Sequence, residues 1–195
     1  MDIRRDFYLE KLIKRKSNGL IKVITGIRRC GKSYLLNNIF YHHLLDSGVE
    51  ADHIIRFAFD SADDLYLIGE SLIQIEKEQR GVDPEKFMAY IRSKTTGEGI
   101  YYLLLDEIQM LDCFEAVLNV YLRKENIDVF VTGSNAKLLS KDIATEFAGR
   151  GDEIHMYPLS FAEFMSVHNG DKYTGLSEYM LYGGIPLVVL RDGAG

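Results

Sequence analysis

Residues 26–33 read GIRRCGKS, two glycines five positions apart with a lysine and a serine directly after the second, set between two apolar segments of different period. Residues 20–25 are short, apolar and β-branched, which suits a buried strand. The following segment, SYLLNNIFYHHLL, places Leu35, Leu36, Ile39 and Phe40 on one helical stripe. The local order is therefore strand, glycine-bounded loop, helix. A strand buried in this way needs neighbours on both edges, and the rest of the chain supplies them by the same alternation. Strands are expected at 53–59, 100–105, 127–132 and 153–157, and helices at 5–16 and 113–124. A long polar and helical stretch runs to about residue 96, broken by a turn at Arg80-Gly81-Val82-Asp83-Pro84. Ser160 and Glu163 have capping-box spacing at the start of SFAEFMSVH, and a further short helix at 176–181 ends at Gly183-Gly184. Such alternation specifies an α/β fold with a parallel sheet covered on both faces.

The chain has 195 residues, 47% hydrophobic and 27% charged, enough for one domain with a sizeable core. Its net charge of -6 excludes an overall electrostatic footprint for nucleic acid, although a local basic patch stays open. Cys30 and Cys113 are far apart, with no zinc-type spacing, so a reducing, cytoplasmic setting is expected. The N-terminal MDIRRDFYLEKLIKRK has charges throughout and lacks the apolar stretch of a secretory signal, and no later run approaches a membrane span. His42, His43 and His155 lack ligand partners at suitable spacing and are read as structural.

The loop satisfies G-x-x-x-x-G-K-[ST] in its required context of strand and helix. Glycine admits backbone turns that a Cβ would forbid, so successive N–H groups and the following helix N-terminus converge on phosphate oxygens. The expected nucleotide cradle is Gly26, Ile27, Arg28, Arg29, Cys30, Gly31, Lys32 and Ser33, with Tyr34 beside it. Lys32 supplies a charge for the β- and γ-phosphates and Ser33 a hydroxyl for Mg²⁺. Arg28 and Arg29 are equally compatible with phosphate contact and with a solvated loop. Cys30 is compatible with a plain spacer or with a thiol whose oxidation would crowd the phosphates.

The apolar run 101–105 ends in Asp106-Glu107, two carboxylates at the rim where open α/β sheets bind ligands. Asp106 is expected to hold Mg²⁺ and Glu107 to orient the attacking water and take its proton. The strand at 127–132 runs on into Gly133-Ser134-Asn135, so Ser134 or Asn135 either positions water at the γ-phosphate or caps a helix. Arg150 reads as a residue that stabilises transition-state charge, within its own subunit or across an interface, or else as a partner of Asp152. Asp60, Asp63 and Asp64 read as a solvated acidic loop.

With these motifs in place, the chain resembles the prokaryotic AAA-like ATPases of the archaeal-ATPase type, in the additional-strand, catalytic-glutamate division of P-loop proteins. The likeness is carried by IKVITGIRRCGKS, YYLLLDEIQ, VTGSN, KLLSKDIATEFAGR, YPLSFAEF and YMLYGGIP. It implies a three-layer P-loop fold of strand order 5-1-4-3-2, and ATP hydrolysis with Mg²⁺ through Asp106 and Glu107. It also implies a rim polar residue from VTGSN and a role for Arg150. Arg29-Cys30 departs from the small or aliphatic residue that often precedes the second glycine. Members of the family usually continue past GGIP into a helical or winged-helix region, so the expected division is an ATPase core with its N-terminal helix at 1–157 and the start of a helical lid or C-terminal region at 158–195. Through such a region the resemblance allows a protein or nucleic-acid partner, and it allows a homo-oligomer.

Two functions fit these residues: an ATPase that drives conformational change in an attached domain or partner, and a nucleotide-gated binding module that hydrolyses only when a partner completes the site. A small-molecule kinase is disfavoured because Glu107 directly follows Asp106 and no arginine-rich lid is evident. A GTPase is disfavoured because no N-K-x-D motif occurs.

Overall fold

The computed structural model describes residues 3–133 and 150–187. Its centre is a parallel five-stranded sheet of β1 (Ile21–Thr25), β2 (Ile54–Ala58), β3 (Tyr101–Asp106), β4 (Ile127–Thr132) and β5 (Gly151–His155), in the order β2-β3-β4-β1-β5. Every residue of β1, β3 and β4 is buried, as expected of strands covered on both faces.

Alternation along each strand sorts the core into two halves. Leu103 and Leu105 of β3 and Val129 and Val131 of β4 join Phe57, Phe87, Ile91 and Leu118 on one face. Tyr102, Leu104 and Phe130 face the other way, onto Tyr8, Leu12, Leu36, Phe40 and Ile154. The helices of the first face are α3 (Ala62–Leu67), α4 (Leu72–Glu78), α5 (Pro84–Lys94) and α6 (Phe114–Leu122). Those of the second are α1 (Asp6–Arg15) and α2, which runs without interruption through Lys32–Tyr34, a π-helical Leu35–Phe40 and Tyr41–Asp46. Beyond β5 come α7 (Phe161–Met165) and α8 (Lys172–Tyr182).

The expected turn at residues 80–84 separates α4 from α5, and the Ser160–Glu163 capping box is formed in full. Helix α8 starts four residues before the apolar pattern would place it, because the Asp171 side chain accepts from the backbone of Tyr173 and Thr174 and caps it there. Strand β5 starts two residues before its expected position. Gly151 and Asp152 pair with Ile21 and Lys22 of β1, and being polar at the sheet edge they carry no apolar signal. No helix among the described residues is long and apolar enough to cross a membrane.

Candidate functional site

The parallel order brings the C-terminal ends of β1, β3 and β4 to one rim, where Ile24 is in register with Thr132, and Leu105 with Val131. The loop 26–31 leaves β1 at this rim and turns at once into α2. Gly26 has φ 142°, and a Cβ there would lie 2.2 Å from the Met156 carbonyl oxygen, so the loop starts in space that only glycine leaves open. Gly31, at φ 100°, reverses the chain into the first turn of α2. Arg29 is also left-handed, at φ 64°, without glycine's freedom.

Lys32 is buried, and its Nζ donates to the carbonyl oxygens of Gly26 and Ile27, both at 2.9 Å. The ammonium thus stands inside the curve of its own loop. Cys30 is fully buried in the core beneath, whereas Ile27, Arg28 and Arg29 are exposed. Ser33 and Tyr34 lie on the exposed first turn of α2, and the Ser33 hydroxyl reaches the Asp106 carboxylate.

Asp106 ends β3 and is nearly buried. Its Oδ1 accepts from the Thr132 hydroxyl and its Oδ2 from Asn37 Nδ2 at 3.4 Å. Burial raises its pKa above the ordinary carboxylate value, and the charges of Glu107 and Asp60 add to this. The hydrogen bonds from Thr132 and Ser33 work in the opposite direction. Glu107 follows in a left-handed conformation, φ 53°, its backbone N–H donating to Thr132 Oγ1 at 3.2 Å and its carboxylate accepting from Gln109 Nε2. Loop, Ser33, Asp106 and Glu107 therefore meet at one rim.

Other sequence candidates fall elsewhere. Ser134 and Asn135 lie outside the described residues. The Arg150 carbonyl accepts from Ile21 N at 2.9 Å, at the entry end of β1, whereas the loop leaves the exit end about 16 Å away. Its guanidinium donates to Asn119 Oδ1 at 3.2 Å, and Asp152 pairs with Arg15 instead, at 2.6 Å. The Asp152 pairing is thereby corrected. Asp64 binds back to the Ala58 backbone N–H at 2.8 Å, and His155 is engaged with Thr25 at 3.0 Å.

The motif reading missed Thr132, Asn37 and Gln109. Thr132 and Asp106 do share a readable signature, a polar residue ending an otherwise apolar strand, and Asn37 stands one turn after Ser33 on the same helix face. Beside the loop, a cavity of about 350 Å³ is walled by Ile3, Arg5, Met156, Leu159, Pro186 and Leu187, with residues 29–34 and Glu107 completing it.

Residues 18–165 match the family described as AAA domain. The chain is 37% identical over 197 residues to an uncharacterized protein of Haemophilus influenzae, covering 97% of this chain and 45% of the relative. It is 32% identical over 208 residues to the uncharacterized protein MJ1544 of Methanocaldococcus jannaschii, covering 97% and 40%. The chain thus spans less than half the length of these relatives. Among solved structures, the Walker-type ATPase PABY2304 of Pyrococcus abyssi superposes with a TM-score of 0.63 at 19% identity, over 98% of this chain and 67% of that one. AMPPCP-bound DnaA from Aquifex aeolicus gives 0.58 at 14% identity, over 95% and 57%. At such identities these two likenesses establish the fold, a P-loop NTPase sheet with flanking helices.

Proposed function

The chain belongs to the AAA domain family, and from that premise we propose that it binds ATP with Mg²⁺ at the β1–α2 loop and hydrolyses it to drive conformational change in an attached domain or partner. The observation that carries this reading is the convergence of Lys32, Ser33, Asp106 and Glu107 on one sheet rim, with Asp106 held by Thr132 and Ser33. Backbone N–H groups of residues 26–34 cradle the phosphates. Lys32 Nζ exchanges its two loop carbonyls for β- and γ-phosphate oxygens.

The donor set suits Mg²⁺, a hard ion that takes oxygen ligands and keeps several waters. Ser33 and Asp106 offer oxygens, and Asn37 Oδ1 beside them is a buried acceptor with no hydrogen-bond partner among the described residues, placed to receive an ion-bound water. When bound, the ion neutralises charge on the phosphate oxygens. Glu107 orients the attacking water and takes its proton as the water oxygen bonds to the γ-phosphorus and the bond to the β-phosphate oxygen breaks. Ser134 or Asn135, next after Gly133 in the sequence, would position that water. We assign residues 1–157 to the ATPase core and 158–195 to the start of a lid.

Arg150 stands at the opposite edge from its own loop, which favours action across an interface in a homo-oligomer. The same placement favours a second reading, a nucleotide-gated module that hydrolyses only when a neighbour completes the site. Single-turnover phosphate release separates them. The ATPase reading expects prompt release by the wild-type chain and none by Glu107→Gln, with binding kept in both. Wild-type-like release by Glu107→Gln would remove Glu107 as the base, and release that appears only at high chain concentration would favour the gated module.

A further inference from the structure

A glutamate that takes a proton from water must hold one orientation, yet its side chain turns about three bonds and loses that freedom only to neighbours. Glu107 itself is left-handed, φ 53°, and the short 3₁₀ turn Ile108–Met110 follows directly. This turn brings Gln109 back onto Glu107, whose Oε2 accepts from Gln109 Nε2. The amide nitrogen is a donor only and an ionised carboxylate an acceptor only, so the contact suits the form of Glu107 that can receive a proton. At its other end the amide is costly, because Gln109 Oε1 is buried with no hydrogen-bond partner among the described residues. An apolar side chain of similar size would avoid that cost, so what the amide supplies here is the contact with Glu107.

The turn that carries Gln109 is fixed from two sides. Ile108 and Leu111 anchor it in the core, packed with Phe57, Phe87 and Leu118. From outside, the connection between α4 and α5 clamps it: the Val82 backbone N–H donates to the Met110 carbonyl at 2.8 Å, and the Val82 carbonyl accepts from Asp112 N–H at 3.0 Å. Val82 and Leu111 thereby form a lone parallel bridge, and Val82 is fully buried. The approach is close enough to require glycine beside it, since a Cβ on Gly81 would lie 2.9 Å from the Met110 carbonyl oxygen and press on the Asp112 carboxylate. A continuous path of contacts therefore runs from the α4–α5 connection, which takes no part in the phosphate cradle, through Met110 and Gln109 to the Glu107 carboxylate.

We propose that Gln109 is a positioning residue for hydrolysis, its amide aiming the Glu107 carboxylate at the attacking water, and that the Val82–Leu111 bridge holds Gln109 in place to do so. The assignment rests on the proposed role of Glu107 as the base. It makes the rate of the hydrolytic step, and not the affinity for nucleotide, depend on residue 109 and on the α4–α5 connection.

The test measures phosphate release and calorimetric Mg·ATP binding for the wild-type chain, Gln109→Leu, Gln109→Glu and Gly81→Ala, with each substitution repeated in the Glu107→Gln background. Gln109→Leu is expected to lower kcat about tenfold while Kd for Mg·ATP stays within about twofold. Gln109→Glu, which keeps the size and removes the donor, is expected to do the same and serves if Gln109→Leu does not fold. Gly81→Ala should lower kcat to a smaller extent, again with binding kept. In the Glu107→Gln background none of the three should reduce the residual release further, because a positioning residue acts only through the group it positions. Wild-type turnover by a folded Gln109→Leu or Gln109→Glu would overturn the assignment. So would a loss of affinity that matches the loss of turnover, or an undiminished loss in the Glu107→Gln background, since Gln109 would then only support the fold. A wild-type rate in Gly81→Ala would overturn the link to the α4–α5 connection. If Glu107→Gln itself turns over like the wild type, the base reading falls and Gln109 with it, a result distinct from Glu107-dependent turnover that is indifferent to residue 109.

Discussion

The Thr132 hydroxyl donates to the Asp106 carboxylate across the tips of β4 and β3, and the same oxygen accepts the Glu107 backbone N–H at 3.2 Å. One buried side chain thus sets both acidic residues of the rim. Thr132→Val keeps the shape and removes the hydroxyl. It is expected to weaken the Mg²⁺-dependent part of ATP binding about tenfold, the ~1.4 kcal/mol scale of one hydrogen bond to a charged group. Binding of ATP without Mg²⁺ should be little changed. Titrations with and without the ion measure this, and equal Mg²⁺ dependence in the two proteins would remove Thr132 from the site.

Burial raises the pKa of Asp106 in the fold, so the folded state holds this proton more tightly than the unfolded chain does. Its contribution to stability is therefore full below the unfolded carboxylate value and is lost as pH rises through the elevated one. At neutral pH the ionised group is a net cost. Asp106→Asn is expected to unfold at a higher temperature than wild type at pH 7 in the absence of Mg²⁺, with the difference shrinking as pH falls. The variant should lose the Mg²⁺-dependent gain in ATP affinity. Thermal melts across pH check the first point; a destabilised Asp106→Asn at pH 7 would contradict it.

At the other end of the sheet, Lys22 is fully buried and donates to Asp128 of the neighbouring strand and to the Leu20 carbonyl, the latter at 2.7 Å. Desolvation lowers the Lys22 pKa, opposed by the hydrogen bond and charge of Asp128. Among the described residues, Lys22→Met leaves the Asp128 carboxylate with only the Ser17 backbone N–H, at 2.8 Å, and is expected to cost about 3 kcal/mol. Lys22→Met combined with Asp128→Leu should recover most of that loss. Denaturant unfolding of both variants measures the difference, and a double variant no more stable than the single one would contradict the account.

Glu107→Gln keeps the side-chain volume and its contact with Gln109 but removes the base. Turnover is expected to fall by about 10²–10⁴-fold with ATP affinity retained, which steady-state phosphate release together with calorimetry would show.

Much of this arrangement is legible in the sequence, because the decisive residues are local. GIRRCGKS fixes a strand-to-helix turn by itself, and Asp106-Glu107 ends a wholly apolar strand, so periodicity and a short motif suffice for both. Thr132 and Asn37 act instead through Asp106, 26 and 69 positions away, so their local signs, a polar end to an apolar strand and a place one turn after Ser33, do not by themselves mark them as site residues. The same limit explains Arg150. Its place after Phe147-Ala148-Gly149 and the family resemblance point to a role at the phosphates, but only the sheet register reveals that it lies at the opposite edge from its own loop.

The most direct test is calorimetric titration of Mg·ATP into the wild-type chain and into Lys32→Ala. The account expects saturable binding at one site in the wild type and its loss in Lys32→Ala, with both proteins equally folded by circular dichroism. Equal affinity in the two proteins, or no binding by a folded wild type, would contradict the assignment of the β1–α2 loop as the nucleotide site.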